Sequence, residues 1–184
     1  MKKLAFVVAA LLPALLPNFA SAAGLLGSTV DVRYDYVDGP AVFHTLDSVV
    51  VTAGIELTCP GSAQICNVLS APTQTINIGD NSIRYEYVGA GAGFGDIEIN
   101  AATFESLYGS GTKIVGATLT GTSITGFEQS RITFTDHSVR INTSGVGLGA
   151  TAFLQIDLQT AAVPEPATVA LMLGGLGLLA LRRR

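Results

Sequence analysis

Few side chains in this chain of 184 residues are of the types that perform acid–base or nucleophilic chemistry. Its two histidines are His44 and His137, and a serine or cysteine hydrolase needs an imidazole base beside its nucleophile. Ser123 has Gly121 two positions before it, but Thr125 stands where the nucleophile-elbow sequence requires a second glycine. His137 falls in a predicted hairpin turn, where an exposed polar residue is common. The sequence therefore predicts no catalytic residues.

Paired carboxylates suggest a second kind of chemistry. Asp96 and Glu98 are of the residue types that form the acid and base of a glycosidase. Asp31 and Asp35 are another such pair. Alternate positions along a strand share one face, however, and a row of charges there is usually a solvated surface. A secreted carbohydrate-active enzyme or carbohydrate-binding module is therefore kept as the alternative function.

Oxygen ligands for calcium are a further candidate. Asp35, Asp38 and Asp136 could supply carboxylates in an acidic exported domain, although no calcium-loop motif is present. We expect no metal site and no cofactor.

Two cysteines enclose a short, turn-rich segment. Cys59 and Cys66 flank a Pro-Gly-Ser-Ala-Gln-Ile sequence that can bring two strand ends within disulfide range in an oxidising compartment. In the chain-entropy model, closing an eight-residue loop contributes about 2.5 kcal/mol. Zinc binding is the alternative, but two thiolates this far apart and two distant histidines make a poor tetrahedral set. The sequence predicts a Cys59–Cys66 disulfide.

The elements that must position these residues are β-strands. Apolar and polar residues alternate along several segments, which is typical of strands with one dry face and one wet face. The predicted dry-face residues are Val30, Val32, Tyr34 and Tyr36; Ile83, Tyr85 and Tyr87; Ile97 and Ile99; Ile132 and Phe134; and Leu154, Ile156 and Leu158. Gly, Asp, Asn and Pro separate these runs at short intervals. The pattern predicts an all-β fold, an antiparallel β-sandwich or jelly-roll-like domain of roughly eight to ten strands.

Three segments fit this pattern less well. Val49–Val51 and Ile114–Leu119 are apolar enough for strands covered on both faces. Ala101–Tyr108 could form one or two helical turns.

One similarity within the chain has a constant offset of 56 residues. The residues Ile76, Ile78, Asp80, Ser82, Ile83 and Arg84 align with Ile132, Phe134, Asp136, Ser138, Val139 and Arg140. Both segments are predicted hairpins in which Asp and Ser bond the turn backbone. Duplication and convergent turn chemistry are both compatible with the match, and we favour convergence because turn types restrict the residues.

The amino-terminal segment predicts export. Two lysines, Lys2 and Lys3, precede the apolar run Leu4–Leu16, and Ala20 and Ala22 provide small residues at signal-peptidase spacing. We predict a signal peptide over residues 1–22, cleaved before Ala23. A permanent anchor is disfavoured, because prolines break the run short of the ~20 residues that span a membrane.

The composition changes again at Val163. The sequence Val163, Pro164, Glu165, Pro166 is stiff and extended, because each proline fixes its own backbone angle and restricts its predecessor. Residues 167–181 are uncharged and leucine-rich, and Arg182, Arg183 and Arg184 follow. A helix over these fifteen residues rises about 22 Å, and the arginines can snorkel to extend it. We predict a transmembrane helix at about 167–181 rather than a buried core helix.

These elements, in this order, resemble the PEP-CTERM sorting signal of proteins exported by Gram-negative bacteria. The resemblance covers only about 22 residues. It implies recognition of Val163, Pro164, Glu165 and Pro166 by an exosortase, a multi-pass membrane protease, while the hydrophobic helix holds the chain temporarily. It also implies an association with extracellular polysaccharide, biofilm or floc formation. The resemblance does not extend to the middle of the chain.

The charge distribution restricts the partners of the middle segment. Residues 23–163 carry five basic and thirteen acidic side chains. Nucleic-acid binding is not expected, because it needs a basic stripe. We therefore predict a signal peptide at 1–22, a noncatalytic β-sandwich ectodomain at 23–162 and a sorting and anchor segment at 163–184. The expected partners are signal peptidase, exosortase, the membrane and extracellular polysaccharide. The ectodomain would be periplasmic while anchored at the inner membrane, and at the cell surface or outside the cell after processing.

Overall fold

The structure is a computed structural model that describes residues 23–69 and 73–163. The predicted signal peptide, the residues from Pro164 onward and the predicted transmembrane helix lie outside the described residues. The described residues form twelve strands: β1 (Thr29–Asp38), β2 (Ala41–Val50), β3 (Leu57–Cys59), β4 (Gln74–Gly79), β5 (Ser82–Val88), β6 (Ala92–Gly93), β7 (Ile99–Glu105), β8 (Thr112–Thr122), β9 (Ile132–Phe134), β10 (Val139–Asn142), β11 (Gly147–Leu148) and β12 (Thr151–Ala162). Short 3-10 helices cover Gln64–Asn67 and Gln129–Arg131.

The strands are arranged in two five-stranded sheets and a small ribbon. The first sheet has the order β2-β1-β7-β10-β9, and the second has the order β3-β4-β5-β12-β8. Strands β11 and β6 form the ribbon. All neighbouring strands in these sheets are antiparallel. The predicted all-β, antiparallel sandwich is confirmed.

The inner faces of the two sheets form one apolar core. In β1 the buried residues Val30, Val32 and Tyr34 alternate with side chains on the outer face. In β12 the buried residues Leu154, Ile156 and Leu158 do the same. Burying a side chain of this size stabilises a fold by about 1.5–3 kcal/mol. The period of two in the sequence therefore marks the core correctly in these strands.

Strand β7 differs from the sequence prediction in two respects. The segment that begins at Ala101 is not helical, because its backbone pairs with β1 on one side and β10 on the other. These two ladders override the local helical preference of alanine. The expected dry face is also wrong: Ile97 and Ile99 are only partly buried, whereas Asn100 is 3% exposed. Asn100 lies opposite Tyr36 and faces the core, where hydrogen bonds satisfy its amide.

The other differences from the sequence prediction occur in strands at the edges of the sheets. Val49–Val51 falls at the end of β2 and Ile114–Leu119 lies in β8, and each of these strands is at the edge of its sheet. The side chains of Val50 and Val115 are exposed, so neither segment is covered on both faces. Phe134 in edge strand β9 is also exposed, although the alternation predicted it to be buried.

The two segments that share the 56-residue offset form hairpins of the same register. Ile78 pairs with Ile83 in one hairpin, and Phe134 pairs with Val139 in the other. The first hairpin belongs to the second sheet and the other belongs to the first sheet. The equivalence is compatible with duplication and with convergent turn chemistry alike.

Strand direction divides the loops between two ends of the sandwich. One end, which we call the terminal pole, contains residues 23–28, 51–56, 79–82, 106–111, 135–138 and 162–163. The other, the distal pole, contains residues 39–40, 89–98, 123–131 and 143–150. Both assignments follow from the antiparallel registers.

Candidate functional site

The two ends of the described domain meet at the start of β8. The backbone N–H of Ala23 donates to Oγ1 of Thr112 at 3.0 Å. The backbone N–H of Val163 donates to the carbonyl oxygen of Gly111 at 2.9 Å, and Ala162 pairs with Thr112. The predicted signal-peptide cleavage point and the start of the predicted sorting motif therefore lie side by side at the terminal pole.

The hairpin turn between β4 and β5 holds the amino-terminal segment in place. The carbonyl oxygen of Asp80 accepts from the Leu25 N–H at 3.0 Å, and its carboxylate accepts from the Leu26 N–H at 3.2 Å. The sequence predicted that Asp80 would bond its own turn. In the structure the Asp80 carboxylate instead bonds the amino-terminal segment. Leu25 is buried beneath this contact, whereas the side chain of Leu26 is exposed.

Tyr108 closes the same region from the loop after β7. Its hydroxyl donates to Oδ1 of Asn81 at 3.1 Å and lies 3.4 Å from the carbonyl oxygen of Asp80. Burial, and to a smaller extent the nearby Asp80 carboxylate, raises the pKa of the Tyr108 phenol to about 12. The terminal pole is thus an ordered surface that fixes where both chain ends leave the sandwich.

The distal pole contains an open polar cleft of about 610 Å³. Its walls come from the loop before β7, the segment around the 3-10 helix Gln129–Arg131, and the end of β10. The lining residues are Asp96, Ile97, Glu98, Gly126, Glu128, Ser130, Arg131, Asn142 and Ser144. The cleft therefore includes the Asp96 and Glu98 pair proposed from the sequence.

Ser144 and Arg131 hold the cleft walls together. The Ser144 hydroxyl donates to the carbonyl oxygen of Ile97 at 2.8 Å and accepts from the Ile97 N–H at 3.0 Å. Nη1 of Arg131 donates to the carbonyl oxygen of Ser144 at 2.8 Å and to that of Asn142 at 3.4 Å. The loop after β10 is thus fixed to the loop before β7. The guanidinium of Arg131 holds the segment around the 3-10 helix against the loop after β10.

The side chains of the cleft suit hydroxyl-rich ligands. Three carboxylates line it against one guanidinium, and such groups pair with hydroxyls by accepting or donating hydrogen bonds. The carboxylates of Glu98 and Glu128 form no hydrogen bond or ion pair with any described residue. The described residues also contain no group of three or more His, Cys, Asp or Glu side chains that could hold a metal ion. Sequence reasoning did not find Glu128 and Arg131, whose only signal was their position in a loop between strands.

Strands β1 and β2 carry a second polar cluster on their outer face. Nδ1 of His44 lies 2.7 Å from Oδ1 of Asp35, and Nε of Arg33 lies 3.2 Å from Oδ2 of the same carboxylate. Arg33 also contacts Glu105 at 3.3 Å. Asp35 is buried beneath these partners. The Arg33 guanidinium bridges the carboxylates of Asp35 and Glu105, as expected for a structural ion-pair network.

The residues considered for nucleophilic catalysis are not brought together. His44 lies on β2, whereas His137 lies in the β9–β10 turn, where its Nδ1 is 3.2 Å from the carbonyl oxygen of Leu107. Oγ of Ser123 accepts the N–H of Phe153 in the distal pole. No described histidine therefore contacts Ser123.

The acidic residues considered for calcium are also separated. Asp38 ends β1 at the distal pole, whereas Asp136 lies in the β9–β10 turn at the terminal pole. Asp31 and Asp35 are both on β1, but Asp31 accepts from Ser48 and Ser106 while Asp35 contacts Arg33 and His44.

The predicted disulfide is present and closes a loop that contacts the opposite sheet. Cys59 and Cys66 are bonded, with their Cα atoms 5.2 Å apart. The loop that they close ends in the 3-10 helix Gln64–Asn67, which lies against β2 of the opposite sheet. There, the carboxylate of Asp47 accepts the N–H groups of Gln64 and Ile65 at 2.7 and 2.8 Å. Sequence reasoning missed Asp47, whose signal was a charge at a core-facing position of β2.

The middle of the core contains a buried polar cluster beside a cavity of about 40 Å³. The hydroxyl of Tyr34 donates to Oδ1 of Asn100 and lies 3.2 Å from Oγ1 of Thr143. Tyr85 donates to Oε1 of Gln74 at 2.5 Å. Burial raises the pKa of Tyr34 to about 12, despite an opposing hydrogen bond from Thr143, and burial likewise raises the pKa of Tyr85. The cavity is apolar and small, so we treat this cluster as structural.

Comparison with known proteins gives one match. The family model of the PEP-CTERM protein-sorting motif matches residues 162–184. The chain carries a PEP-CTERM protein-sorting motif. No curated protein and no solved structure was found to match it.

The motif confirms the resemblance drawn from Val163, Pro164, Glu165, Pro166 and the arginine-ended tail. It indicates an exported protein that is anchored in a membrane and then processed by an exosortase. The match begins at Ala162, the last residue of β12, so the motif follows the sandwich without a linker. Within residues 23–69 and 73–163, no helix is long and apolar enough to cross a bilayer.

Proposed function

We propose that this chain is a cell-surface or extracellular-matrix protein whose noncatalytic β-sandwich associates with extracellular polysaccharide. Before processing, the predicted transmembrane helix at about 167–181 would anchor it in the inner membrane, with Arg182, Arg183 and Arg184 on the cytoplasmic side and the sandwich in the periplasm. Signal peptidase would cleave after Ala20-Ser21-Ala22. Exosortase would then release the sandwich by acting at the motif that begins at Val163.

The position of the PEP-CTERM motif is the observation that carries this proposal. The motif starts where β12 ends, so cleavage within it separates the sandwich from the predicted anchor and leaves the sheets complete. The Cys59–Cys66 disulfide is consistent with an oxidising compartment. The predicted signal peptide at residues 1–22 would provide the export step.

The distal cleft is our candidate site for polysaccharide. It is at the opposite pole from Ala23 and Val163, the ends of the described domain, so it would face away from the predicted anchor. Asp96, Glu98 and Glu128 can accept hydrogen bonds from sugar hydroxyls, and Arg131 can donate them. With three carboxylates against one cation, the cleft favours neutral or amino-bearing polymers over polyanions.

Processing is tested by mass spectrometry of the protein from cells that contain exosortase. We expect an amino terminus at Ala23 and a carboxyl terminus close to Pro164. The variant Glu165→Gln should accumulate with Arg184 still present, whereas Glu128→Gln, which alters only the distal cleft, should be processed normally. An intact Arg184 in the wild-type protein would contradict the sorting role.

Polysaccharide association is tested by co-sedimentation of the processed protein with polymer purified from the same cells. The double variant Glu98→Gln, Glu128→Gln should reduce binding, because a neutral amide is a weaker acceptor than a carboxylate. The matched control Glu86→Gln removes a carboxylate from β5 and should leave binding unchanged. If the double variant binds the polymer as well as the Glu86→Gln control does, the cleft is excluded as the binding site.

A carbohydrate-active enzyme is the second candidate, because three carboxylates share the distal cleft. A glycosidase needs one carboxyl group as the acid and another as the base or nucleophile. The test is release of new reducing ends from the purified polymer. We expect none. If the wild-type protein releases reducing ends and Glu98→Gln or Glu128→Gln does not, the protein is an enzyme instead.

A further inference from the structure

We propose that the terminal pole of the sandwich lies on the membrane surface before processing and that Leu26 and Ile55 insert into the lipid headgroup region. This inference rests on the proposed function, because it requires the predicted helix at about 167–181 to be in the bilayer. It adds the orientation of the sandwich and the residues that contact lipid.

The short connection between fold and anchor carries the first step. Val163 is fixed to Gly111 by its backbone hydrogen bond, and the predicted helix begins at about Ala167. Four residue steps span at most about 14 Å even when fully extended. The terminal pole is therefore held within that distance of the bilayer for as long as the anchor is in place.

The second step is the position of the amino terminus. Ala23 is hydrogen-bonded to Thr112, next to the Val163 contact. Before signal peptidase acts, the apolar segment Leu4–Leu16 would leave from this same pole. Two predicted membrane segments would then hold one end of the sandwich against the lipid.

The apolar side chains of this pole carry the third step. Leu26 is 55% exposed and Ile55 is 54% exposed, and each lies in a loop at the terminal pole. Leu26 follows the buried Leu25, whose contact with Asp80 presents the next side chain outward. Ile55 precedes Glu56, whose carboxylate accepts the N–H groups of Thr52 and Ile78 at 2.8 and 2.6 Å. Both loops are thus fixed by hydrogen bonds while they expose an apolar side chain.

The charges of the pole favour a zwitterionic lipid surface over a strongly anionic one. The carboxylate of Asp80 accepts the N–H of Leu26 in the amino-terminal segment, and that of Glu56 accepts the N–H groups of Thr52 and Ile78. Asp136 adds a further negative charge in the β9–β10 turn. Attraction to anionic lipids needs a cluster of Lys and Arg, whereas this pole includes more carboxylates than cations. Contact with lipid would therefore come from the two apolar side chains and from the tether.

The chain contains no tryptophan, so a single introduced tryptophan reports its own surroundings. The full chain would be reconstituted in phosphatidylcholine vesicles, with and without lipid brominated near the top of its acyl chains. Leu26→Trp and Ile55→Trp are the test variants. Val42→Trp and Val88→Trp are matched controls, because these residues are 59% and 54% exposed at the distal ends of β2 and β5.

We expect brominated lipid to remove more than about half of the fluorescence of Leu26→Trp and Ile55→Trp, as for side chains at the headgroup boundary. The emission of the two controls should not change. Equal quenching at both poles, or none at Leu26 and Ile55, would overturn the proposal. Unchanged thermal midpoints would show that the four variants are folded.

Flotation of the wild-type chain with the vesicles separates the two proposals. A chain that does not float has no working anchor, and both the proposed function and the orientation fail. A chain that floats, but whose Leu26→Trp and Ile55→Trp variants are not quenched, retains the anchor and refutes only the orientation.

Discussion

The carboxylate of Asp47 on β2 accepts the backbone N–H of Ile65 at 2.8 Å and so joins the edge strand of one sheet to the disulfide loop of the other. The same carboxylate accepts the N–H of Gln64 at 2.7 Å. A carboxylate that receives two N–H groups at the start of a helical turn forms charge-assisted hydrogen bonds. One side chain therefore links the two layers of the sandwich at an open edge.

We expect Asp47→Ala to lower the free energy of unfolding by about 1–3 kcal/mol, because two backbone donors lose a charged acceptor. Asp47→Asn should cost less, since its amide oxygen still accepts. Urea unfolding at neutral pH measures both. Asp136→Ala is the control: Asp136 is an exposed turn residue, and its replacement should change stability by less than about 0.5 kcal/mol. A loss at Asp136 as large as that at Asp47 would refute a specific role for the Asp47 contact.

The disulfide should act through the same loop. Replacing Cys59 and Cys66 by serine is expected to cost about 2–4 kcal/mol, since the unfolded chain regains the freedom that the closed loop removed. Combining this change with Asp47→Ala should cost less than the sum of the separate losses, because a loosened loop no longer presents its N–H groups to Asp47. The measurement is a double-mutant cycle of urea unfolding. Strict additivity would show that the disulfide does not position the loop for Asp47.

Alkaline pH should destabilise the sandwich through its buried tyrosines. Burial raises the pKa of Tyr34 from 10.0 to about 12, so the unfolded chain releases this proton before the folded chain does. The stabilisation is complete below pH 10.0 and is lost as pH rises to about 12. We expect a loss of about 2–3 kcal/mol from Tyr34 across this interval. Urea unfolding at several pH values tests it, together with tyrosinate absorbance.

Two variants isolate the Tyr34 contribution. Tyr34→Phe should lower stability at pH 8 by about 1–3 kcal/mol, because Oδ1 of Asn100 loses its phenolic donor. It should also reduce the fall in stability at alkaline pH. Tyr36→Phe, on the same strand, has no such contact and should leave stability at pH 8 nearly unchanged. If stability falls as steeply at alkaline pH in Tyr34→Phe as in the wild-type protein, the loss cannot be assigned to Tyr34.

Arg131 should contribute more to the shape of the distal cleft than to its charge. We expect Arg131→Ala to cost about 1–2 kcal/mol, because the carbonyl oxygens of Ser144 and Asn142 lose their donor. Arg131→Lys keeps the charge, but it lacks the planar group that reaches both carbonyls, so it should recover only part of the loss. Arg140→Ala, on the outer face of β10, is the matched control. If Arg131→Lys is as stable as the wild-type protein, a positive charge at this position is sufficient for stability.

Alternation along the chain was enough to predict the sandwich, because a strand with one buried face repeats every two residues. It located the core in β1, β5 and β12, where long strands contact neighbours on both sides. It failed at β7, because the polar Asn100 occupies a core position that partners such as Tyr34 make favourable. Tyr34 lies 66 residues away in sequence, and a local pattern contains no information about such a partner.

The carboxyl-terminal sorting motif and the disulfide were easier to predict than the cleft. Val163, Pro164, Glu165 and Pro166 form a local motif, and the Cys59–Cys66 pair is separated by a short loop. The cleft instead assembles Glu98, Glu128 and Arg131 from separate loops. Asp96 and Glu98 were found as a pair, but their relation to Glu128 depends on how the loops fold. Tertiary structure, not spacing, brings these groups together.

The hydrogen bond from Val163 to Gly111 bears on the fate of the protein once it is cut. Cleavage at any point after Val163 breaks none of the backbone hydrogen bonds that the described residues form with one another. The liberated product would keep the sheets, the disulfide and the cleft of its precursor, and the predicted anchor would be in the segment that is detached. Release would then change the location of the molecule and the freedom with which it tumbles, but not its architecture.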